Sequence, residues 1–389
     1  MKNKILTTAI SSAVLAMSGH MVYADTASDL VDALVTKGVL TEEEGALLSK
    51  NDEKQKKNQP IIKNKAGKFE LESADGKNTI GLTGRMHFDY RATDVRSDAT
   101  GDYESNDNDA KSMNDEFEMR RARIGVKGKL AGAFDYEVVL NGVGKDTNVL
   151  DTASLNWGSY KPFQIEAGVF KQAFNLEGLT SSNDIDFNER SFINQISPHK
   201  KMGLSFHGEP TNGMTYALTK YQQSWENADA RDENNYSGRL TYDFASANDM
   251  KDSIFHLGVS GFTENYAMQP ASSSNGGTET HAKFLTLKSA GRGFSPLFSM
   301  ELQGDDLGNA AFSQKQKNTV NIDNKVAALE GIFAKGPFKL QGEYARGNFY
   351  GSNPMGGNNI EADLDMAYVS ANWILTGEEY AKSYKGGIM

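Results

Sequence analysis

The sequence contains no cysteine among its 389 residues. Disulfide bonds, thiol catalysis and thiolate metal sites are therefore excluded. Its six histidines form no HxxxH or HExxH pair and no GxSxG segment is present, so zinc and serine-hydrolase chemistry have little support. Residues 142–146, "GVGKD", lack the Ser or Thr that follows lysine in a phosphate-binding loop. We predict that the protein is not an enzyme and holds no cofactor or metal, and we expect no nucleic-acid partner.

Long apolar runs are also missing. After residue 24, no run approaches the roughly 18 apolar residues that a membrane-spanning helix needs. A mean hydropathy of -0.54 does not exclude a transmembrane barrel, because barrel strands alternate apolar and polar side chains. At the start of the chain, Lys2 and Lys4 precede an apolar run over residues 5–17, which is followed by "VYA" at 22–24. This pattern predicts a secretory signal peptide over residues 1–24.

The segment after residue 24 has helical periodicity. Apolar residues at 30, 31, 34 and 35 form one stripe, which Gly38 closes, and Thr41 and Glu44 have the spacing of a capping box. We predict a helical hairpin over residues 25–50 that associates as a small coiled coil. The alternatives are an isolated frayed hairpin and a tether to peptidoglycan or another partner. Residues 51–67 are predicted to be a polar linker, and residues 68–389 a β-barrel.

A two-residue period dominates the chain from residue 79 onward. In residues 79–92, for example, Ile80, Leu82 and Phe88 alternate with Arg85 and His87. About fourteen such segments occur, near residues 79–92, 116–130, 134–143, 149–157, 163–171, 201–207, 214–222, 236–244, 254–262, 281–289, 296–303, 326–334, 338–346 and 365–375.

The connections between these segments alternate in length. Short turns with Gly or Pro alternate with long polar loops, and only the brief connection at 144–148 breaks the rule. The pattern predicts an all-β fold, a transmembrane antiparallel β-barrel. A soluble β-sandwich is the alternative, but it would not need so many strands of nine or more residues.

Residues 120–130, "RRARIGVKGKL", form the most basic segment of a chain whose formal net charge is -10. Arg121, Arg123, Lys127 and Lys129 share one parity, and apolar side chains share the other. In a barrel this strand would direct a series of basic side chains into a water-filled lumen. The alternation slips near Arg120, which predicts a β-bulge that turns both Arg120 and Arg121 inward. The alternative is an ordinary solvated strand face, paired with Glu116, Asp135 and Glu137.

The acidic residues concentrate in the long loops. Loop 93–115 holds seven acids against two bases, and loop 223–235 holds four acids against one. We expect this acidity on one rim of the barrel, where it would bind divalent cations that bridge lipopolysaccharide in the outer-membrane lipid.

Five stretches resemble the phosphate-selective porin O/P family of Gram-negative outer membranes. They occur in the family's order: "LTGRMHFDY", "FEMRRARIGVKGKL", "FNLEGLTSSNDIDFNER", "GPFKLQGEY" and "NWILTGEEY". The resemblance implies a sixteen-stranded barrel, a homotrimer and a constriction loop after the fifth strand. It also implies that the family continues past "LTGE" with about two more strands, so we expect this sequence, with about fourteen strands, to be incomplete at its C-terminus.

The resemblance also implies site residues. The family's pore arginines correspond to Arg85, Arg120, Arg121 and Arg239, whereas Arg123, Lys127 and Lys129 follow from parity alone. The constriction loop corresponds to residues 172–200, with Asp184, Asp186, Glu189, Arg190, His199 and Lys200 as the candidates to line it. For Arg190 the alternative is a structural ion pair with Glu189. Lys171 and Lys201 are further candidates only because they lie at strand ends.

The resulting hypothesis is an outer-membrane porin for passive diffusion of small anions, with phosphate or polyphosphate among them. Asp89, Asp135 and Glu137 share the lumen parity and weaken the positive field. A general or cation-tolerant porin on the same barrel is therefore the alternative function.

Overall fold

In this computed structural model, the described residues are 30–31, 34–57, 59–65, 68–92, 116–143, 149–222, 235–268, 283–288, 299–303, 320–352 and 359–389. They divide into two compact units, Met1–Thr79 and Ile80–Met389. The predicted signal peptide and the acidic loop 93–115 lie outside the described residues, as do most of loop 223–235 and residues 25–29 of the predicted hairpin.

The first unit contains a capped helix and a short hairpin. Helix α1 (Glu42–Lys57) begins after Thr41, whose hydroxyl accepts a hydrogen bond from the Glu44 backbone N–H at 3.2 Å. The Glu44 carboxylate in turn accepts from the Thr41 N–H at 2.9 Å, which completes the predicted capping box. No helix in the described part of the chain is long and apolar enough to cross a membrane.

The predicted linker 51–67 differs from what the structure contains. Helix α1 continues to Lys57, because the Lys, Glu and Gln residues of this stretch are good helix formers. Strand β1 (Ile61–Lys65) then pairs antiparallel with β2 (Lys68–Glu72). The polar composition of residues 51–67 concealed the last part of α1 and strand β1, since neither has an apolar face of regular period.

The second unit is built from fourteen strands and a few short helical turns. All fourteen segments predicted from the two-residue period contain a strand. The strands are β3 (Thr79–Arg91), β4 (Glu116–Leu130), β5 (Phe134–Asn141), β6 (Leu150–Trp157), β7 (Gln164–Lys171), β8 (Lys200–Gly208), β9 (Met214–Tyr221), β10 (Asn235–Asp243), β11 (Ser253–Met268), β12 (Lys283–Lys288), β13 (Ser299–Gln303), β14 (Val320–Lys335), β15 (Phe338–Ser352) and β16 (Ile360–Trp373). The turns are α2 (Leu176–Leu179), α3 (Phe244–Ala247) and two 3-10 helices, Phe192–Gln195 and Tyr380–Lys382.

Consecutive strands are neighbours in one sheet, with one exception. The order runs from β3 to β11 and continues with β14, β15 and β16. Strand β11 pairs antiparallel with β14 over its whole length, from Ser253↔Lys335 to Met268↔Val320. Among the described residues, strands β12 and β13 pair with each other and not with the larger sheet. The expectation that both belong to the barrel wall is therefore wrong, because the backbone groups of β11 and β14 that they would need already bond to each other.

The burial pattern of the sheet is the reverse of that in a soluble protein. In β10, Tyr236 and Leu240 are 42% and 43% exposed, whereas Arg239 and Thr241 are 8% and 2% exposed. Apolar side chains therefore form the outer surface, and polar side chains point to the interior. This arrangement suits a wall with lipid outside and water inside. The predicted all-β fold, a transmembrane antiparallel barrel, is confirmed.

The interior is not polar everywhere. The inward faces of β11, β14 and β15 carry apolar side chains that pack against the segment between β7 and β8. Phe174 of this segment meets Phe262 of β11 edge to face, with ring centroids 4.9 Å apart. Ile193 and Ile196 join the same buried cluster. The segment is therefore held inside the barrel by an apolar core of its own.

Candidate pore constriction

Residues 172–199, here called the inner loop, cross the interior from one wall to another. On the β3 side, Arg85 donates hydrogen bonds to Ser181 Oγ at 3.2 Å and to Ser182 Oγ at 2.7 Å. On the β15 side, the Glu343 carboxylate accepts from the backbone N–H groups of Leu176 and Glu177, each at 2.9 Å. The loop that resemblance implies as a constriction thus lies within the lumen.

Local sequence explains why the inner loop folds inward. Phe174, Leu176 and Ile193 are nearly inaccessible to solvent, so the loop buries large apolar groups against the inner wall. Each such side chain contributes roughly 1.5–3 kcal/mol relative to full exposure. Asn175, just before α2, combines a positive φ of 43° with an extended ψ of 145°, which lies outside the left-handed helical region that Asn usually adopts. An apolar anchor followed by a tight turn keeps the polar remainder of the loop in the lumen.

A cavity of about 1060 Å³ lies between the inner loop, the strands from β3 to β10 and residues 383–389. Its lining contains eight basic side chains against five acidic ones, an excess of three formal positive charges in a chain of net charge -10. The basic residues are Arg85, Arg121, Arg123, Lys171, Arg190, Lys200, Arg239 and Lys385, and the acidic ones are Glu137, Asp151, Glu166, Asp184 and Glu209. The lining of this cavity therefore has the opposite charge balance to the chain as a whole.

Two of the arginines, Arg85 and Arg121, have hydrogen-bond partners other than carboxylates. Arg85 bonds to the hydroxyls of Ser181 and Ser182. Arg121 Nη1 lies 3.1 Å from His87 Nδ1, and His87 Nε2 lies 2.9 Å from the side-chain oxygen of Asn183 in the inner loop. Neither arginine has a carboxylate within ion-pair distance in the described part of the chain.

Two basic residues beside α2 bond to backbone carbonyls. Lys171 Nζ donates to the carbonyl oxygens of Leu179 and Thr180 at 2.9 and 3.0 Å. Arg190 donates from Nε to Glu177 O at 2.9 Å and from Nη2 to Thr180 O at 2.7 Å. Burial lowers the pKa of Arg190, and the Coulombic effect of nearby Glu177 opposes that shift. We call Arg85, Arg121, Lys171 and Arg190 the uncompensated basic residues, since their hydrogen bonds supply no negative charge.

Other basic residues are paired with acids. Arg123 Nη2 lies 2.8 Å from Asp151 Oδ1, and Lys200 Nζ contacts the other oxygen of the same carboxylate. The single carboxylate of Asp151 is therefore shared between two basic groups. Arg120 Nη2 lies 3.2 Å from the Glu189 carboxylate and is not part of the cavity lining. Arg120 and Arg121 are consecutive, yet both reach interior groups, as a slip in the alternation requires.

Arg239 is nearly buried and forms a separate interior cluster. Its guanidinium bonds to both oxygens of Glu330, each 3.1 Å from Nε. His256 Nε2 lies 2.8 Å from the same carboxylate, and Gly387 O accepts from Arg239 Nη2 at 2.6 Å. Arg239 therefore lines the cavity with its charge already matched by Glu330.

Three predicted pathway residues do not line the cavity: Arg120, which pairs with Glu189, and Lys127 and Lys129. Lys127 is exposed and absent from the lining, and Lys129 pairs with Asp135 at 2.5 Å. Both follow Arg123 towards the tight turn at Ala131, where β4 leaves the interior. Lys127 pairs in register with Glu137, which does line the cavity, so the absence of Lys127 from the lining is not a matter of position along the strand, and parity alone did not predict it. For Lys129, the alternative of an ordinary pair with Asp135 is what the structure contains.

The acidic residues of the inner loop occupy different places. Asp184 lines the cavity, whereas Glu189 pairs with Arg120 instead of with its neighbour Arg190. Asp186 lies 2.5 Å from Lys339 Nζ on β15. Arg190 does pin the loop, as the structural alternative held, but through backbone carbonyls and not through Glu189.

His199 closes the inner loop just before Lys200. It has a positive φ of 54° and lines the cavity. Loss of solvation, with a smaller contribution from Lys201, lowers the pKa of His199 to about 4. The ring is therefore neutral near pH 7 and adds no charge to the lining.

Sequence reasoning gave no role to four residues of this site. The sequence indicates Lys171 only as a residue at a strand end, and no pattern in it singles out Asp151, His87 or Glu343. Lys171 directly precedes the inner loop, which is a usable signal. Asp151 and His87 share the lumen parity of their strands, but their partners lie on other strands and parity does not identify them.

Comparison with known proteins agrees with this geometry. A family model described as phosphate-selective porin O and P matches residues 80–387. Porin O of Pseudomonas aeruginosa is 25% identical over 336 residues, which cover 84% of this chain and 70% of that protein.

Proposed function

Because this chain belongs to the phosphate-selective porin O and P family and is therefore an outer-membrane porin, we propose that it conducts small anions, with phosphate among them. A channel, and not an enzyme, is what family membership implies. The observation that carries the proposed selectivity is the set of four uncompensated basic residues around one cavity.

These residues suit an anion that must enter and leave. Guanidinium and ammonium groups replace part of an anion's hydration shell with charge-assisted hydrogen bonds. A unit charge about 4 Å from an anion contributes roughly 1 kcal/mol in water and about 4 kcal/mol at an effective dielectric constant of 20. Four such groups at different positions form several moderate sites, which favours entry without trapping the ion.

A general or cation-tolerant porin is the second candidate. Glu137 and Asp184 line the same cavity, and neither forms an ion pair with a described residue. Their carboxylates reduce the positive field at the places where they face the water. The balance between these acids and the uncompensated basic residues decides the selectivity.

The test is a reversal potential in planar bilayers under a KCl gradient, followed by addition of phosphate. We expect a potential whose sign favours chloride and a chloride current that phosphate reduces. A potential favouring potassium would support the cation-tolerant pore and exclude the anion-selective one. Anion preference without any phosphate effect would leave a general anion pore.

We further propose that part of the outer wall contacts a second copy of the chain. On β15 the outward apolar stretch covers only the seven residues from Phe338 to Tyr344, and exposed Arg346 follows. On β3 it covers eleven, from Ile80 to Tyr90. A strand needs about 9–11 residues to cross the hydrocarbon, so the β15 wall is too short for lipid alone.

Neighbouring charges suggest what covers this wall. Arg346 lies 4.0 Å from Asp365 of β16, and both side chains are more than half exposed. Exposed charges of both signs side by side are better covered by another protein than by lipid. A neighbouring subunit of the trimer that the resemblance implies would provide that cover. We expect an oligomer in unheated gel electrophoresis that Arg346→Asp weakens. Unchanged oligomers would exclude this wall as the interface, and bound lipopolysaccharide in that case would identify lipid as its cover.

A further inference from the structure

Glu343 is a buried acid on the inner face of β15 that does not itself line the cavity. The residue is only 4% exposed. One carboxylate oxygen accepts from the Leu176 N–H at 2.9 Å, and the other accepts from the Glu177 N–H at 2.9 Å. The Tyr368 hydroxyl donates to the carboxylate at 2.8 Å. Both oxygens of this carboxyl group are thus committed to holding the start of α2.

Helix α2 is a single turn of four residues and is not stable by itself. Its first backbone N–H groups have no partner within the turn, and Glu343 accepts from them. The position of this turn in the lumen therefore depends on a side chain about 166 residues further along the chain.

The other end of the same turn orients two pore residues. The carbonyl oxygens of Leu179 and Thr180 accept from Lys171, and those of Glu177 and Thr180 accept from Arg190. Because carbonyls take these hydrogen bonds, both basic groups are fixed in place while their charge is not cancelled by a carboxylate. Glu343, α2 and the two basic side chains form one continuous chain of hydrogen bonds across the lumen.

We propose that Glu343 is a positioning residue of the pore, which holds Lys171 and Arg190 at the cavity through α2. The inference rests on the proposed function, because it assigns the two basic residues to the anion pathway. It also links two of the stretches that carry the family resemblance, "FNLEGL" at 174–179 and "GPFKLQGEY" at 336–344.

The sign of the effect separates positioning from simple electrostatics. If Glu343 acted only through its charge, its removal would make the lumen more positive and raise anion preference. If it positions Lys171 and Arg190, its removal weakens anion binding. Glu330 on β14 is a matched control, because it is also a buried inward glutamate but contacts Arg239 and His256 instead of the inner loop.

The experiment compares Glu343→Gln, Glu343→Ala and Glu330→Gln in planar bilayers. Phosphate inhibition of the chloride current is measured for each, with heat-modifiable gel migration as a control for folding. We expect Glu343→Ala to weaken phosphate inhibition about tenfold, equivalent to about 1.4 kcal/mol. Glu343→Gln keeps one acceptor oxygen and falls between Ala and the wild type, while Glu330→Gln leaves inhibition equal or stronger. Glu343 variants with inhibition as strong as that of Glu330→Gln would overturn the proposal.

A second measurement does not depend on selectivity. The chain has no cysteine, so Asn188→Cys, at an exposed inner-loop position, provides a single site for a spin label. We expect Glu343→Ala to increase the mobility of this label, and Glu330→Gln to leave it unchanged. Equal mobility in both variants would overturn the positioning role. If the label responds as expected but the wild-type pore prefers potassium, then the proposed anion function fails and the anchoring of the loop stands.

Discussion

Asp151→Asn is the change that should shift selectivity most clearly with the least change in shape. The Asp151 carboxylate pairs with both Arg123 and Lys200, and its side chain is mostly buried beside the cavity. Asparagine has nearly the same size but no charge. The substitution leaves two basic groups without a counter-charge and raises the formal excess of the cavity lining from three to four.

The magnitude follows from Coulomb's law. At about 6 Å, roughly the radius of a sphere of the cavity's volume, one unit charge contributes about 0.7 kcal/mol in water and about 3 kcal/mol at a dielectric constant of 20. The lower value corresponds to about a threefold change in an equilibrium constant. We therefore expect Asp151→Asn to raise the chloride-to-potassium permeability ratio at least about threefold. The effect should shrink in about 1 M salt, where the screening length is only about 3 Å.

The assay is the reversal potential in a KCl gradient near 0.1 M, with Asp135→Asn as the control. Asp135 is an exposed acid that pairs with Lys129 outside the cavity, so its variant changes the net charge equally. We expect no shift for Asp135→Asn. Equal shifts for the two variants, or no shift for Asp151→Asn at low salt, would refute the reasoning that this cavity lies on the ion path.

Three further predictions concern the same pathway. Arg120→Glu combined with Arg121→Glu should reverse the charge beside the inner loop and lower anion preference; an unchanged reversal potential would show that these side chains do not affect the pore. Lys127→Gln combined with Lys129→Gln should leave the reversal potential unchanged, since neither side chain lines the cavity, and a clear loss of anion preference would contradict that. Burial lowers the pKa of His199 to about 4 from its ordinary 6.5, so the unfolded chain binds the proton more readily than the folded chain. The contribution of neutral His199 to stability is therefore full above about pH 6.5 and is lost as the pH falls towards 4. Thermal unfolding of His199→Gln against the wild type checks this, and a difference that does not change between pH 7 and pH 4 would contradict it.

The barrel was predictable because its signal is local. Alternation along one strand places Tyr236 and Leu240 outside and Arg239 inside without any knowledge of neighbouring strands. The same argument identified the inward face of β4. Strand pairing is not local, which is why the sequence did not reveal that β11 skips β12 and β13 to pair with β14.

The site was predictable only in part, for a related reason. Parity assigns Arg121 and Arg123 to one face, but it does not show that Arg123 pairs with an acid on β6, two strands away, while Arg121 contacts a histidine on β3. That difference decides which charge remains available to an anion, and it depends on residues of other strands. The link between Glu343 and α2 is more distant still, and no local pattern indicates it.

The most direct test of the account is the permeability ratio of the wild-type pore and of Lys171→Gln, measured in the same KCl gradient. The account predicts that the wild type prefers chloride, and that Lys171→Gln reduces this preference and weakens inhibition by phosphate. A wild-type pore that prefers potassium, or a Lys171→Gln pore identical to the wild type in both measurements, would contradict the claim that uncompensated basic residues at this cavity select anions.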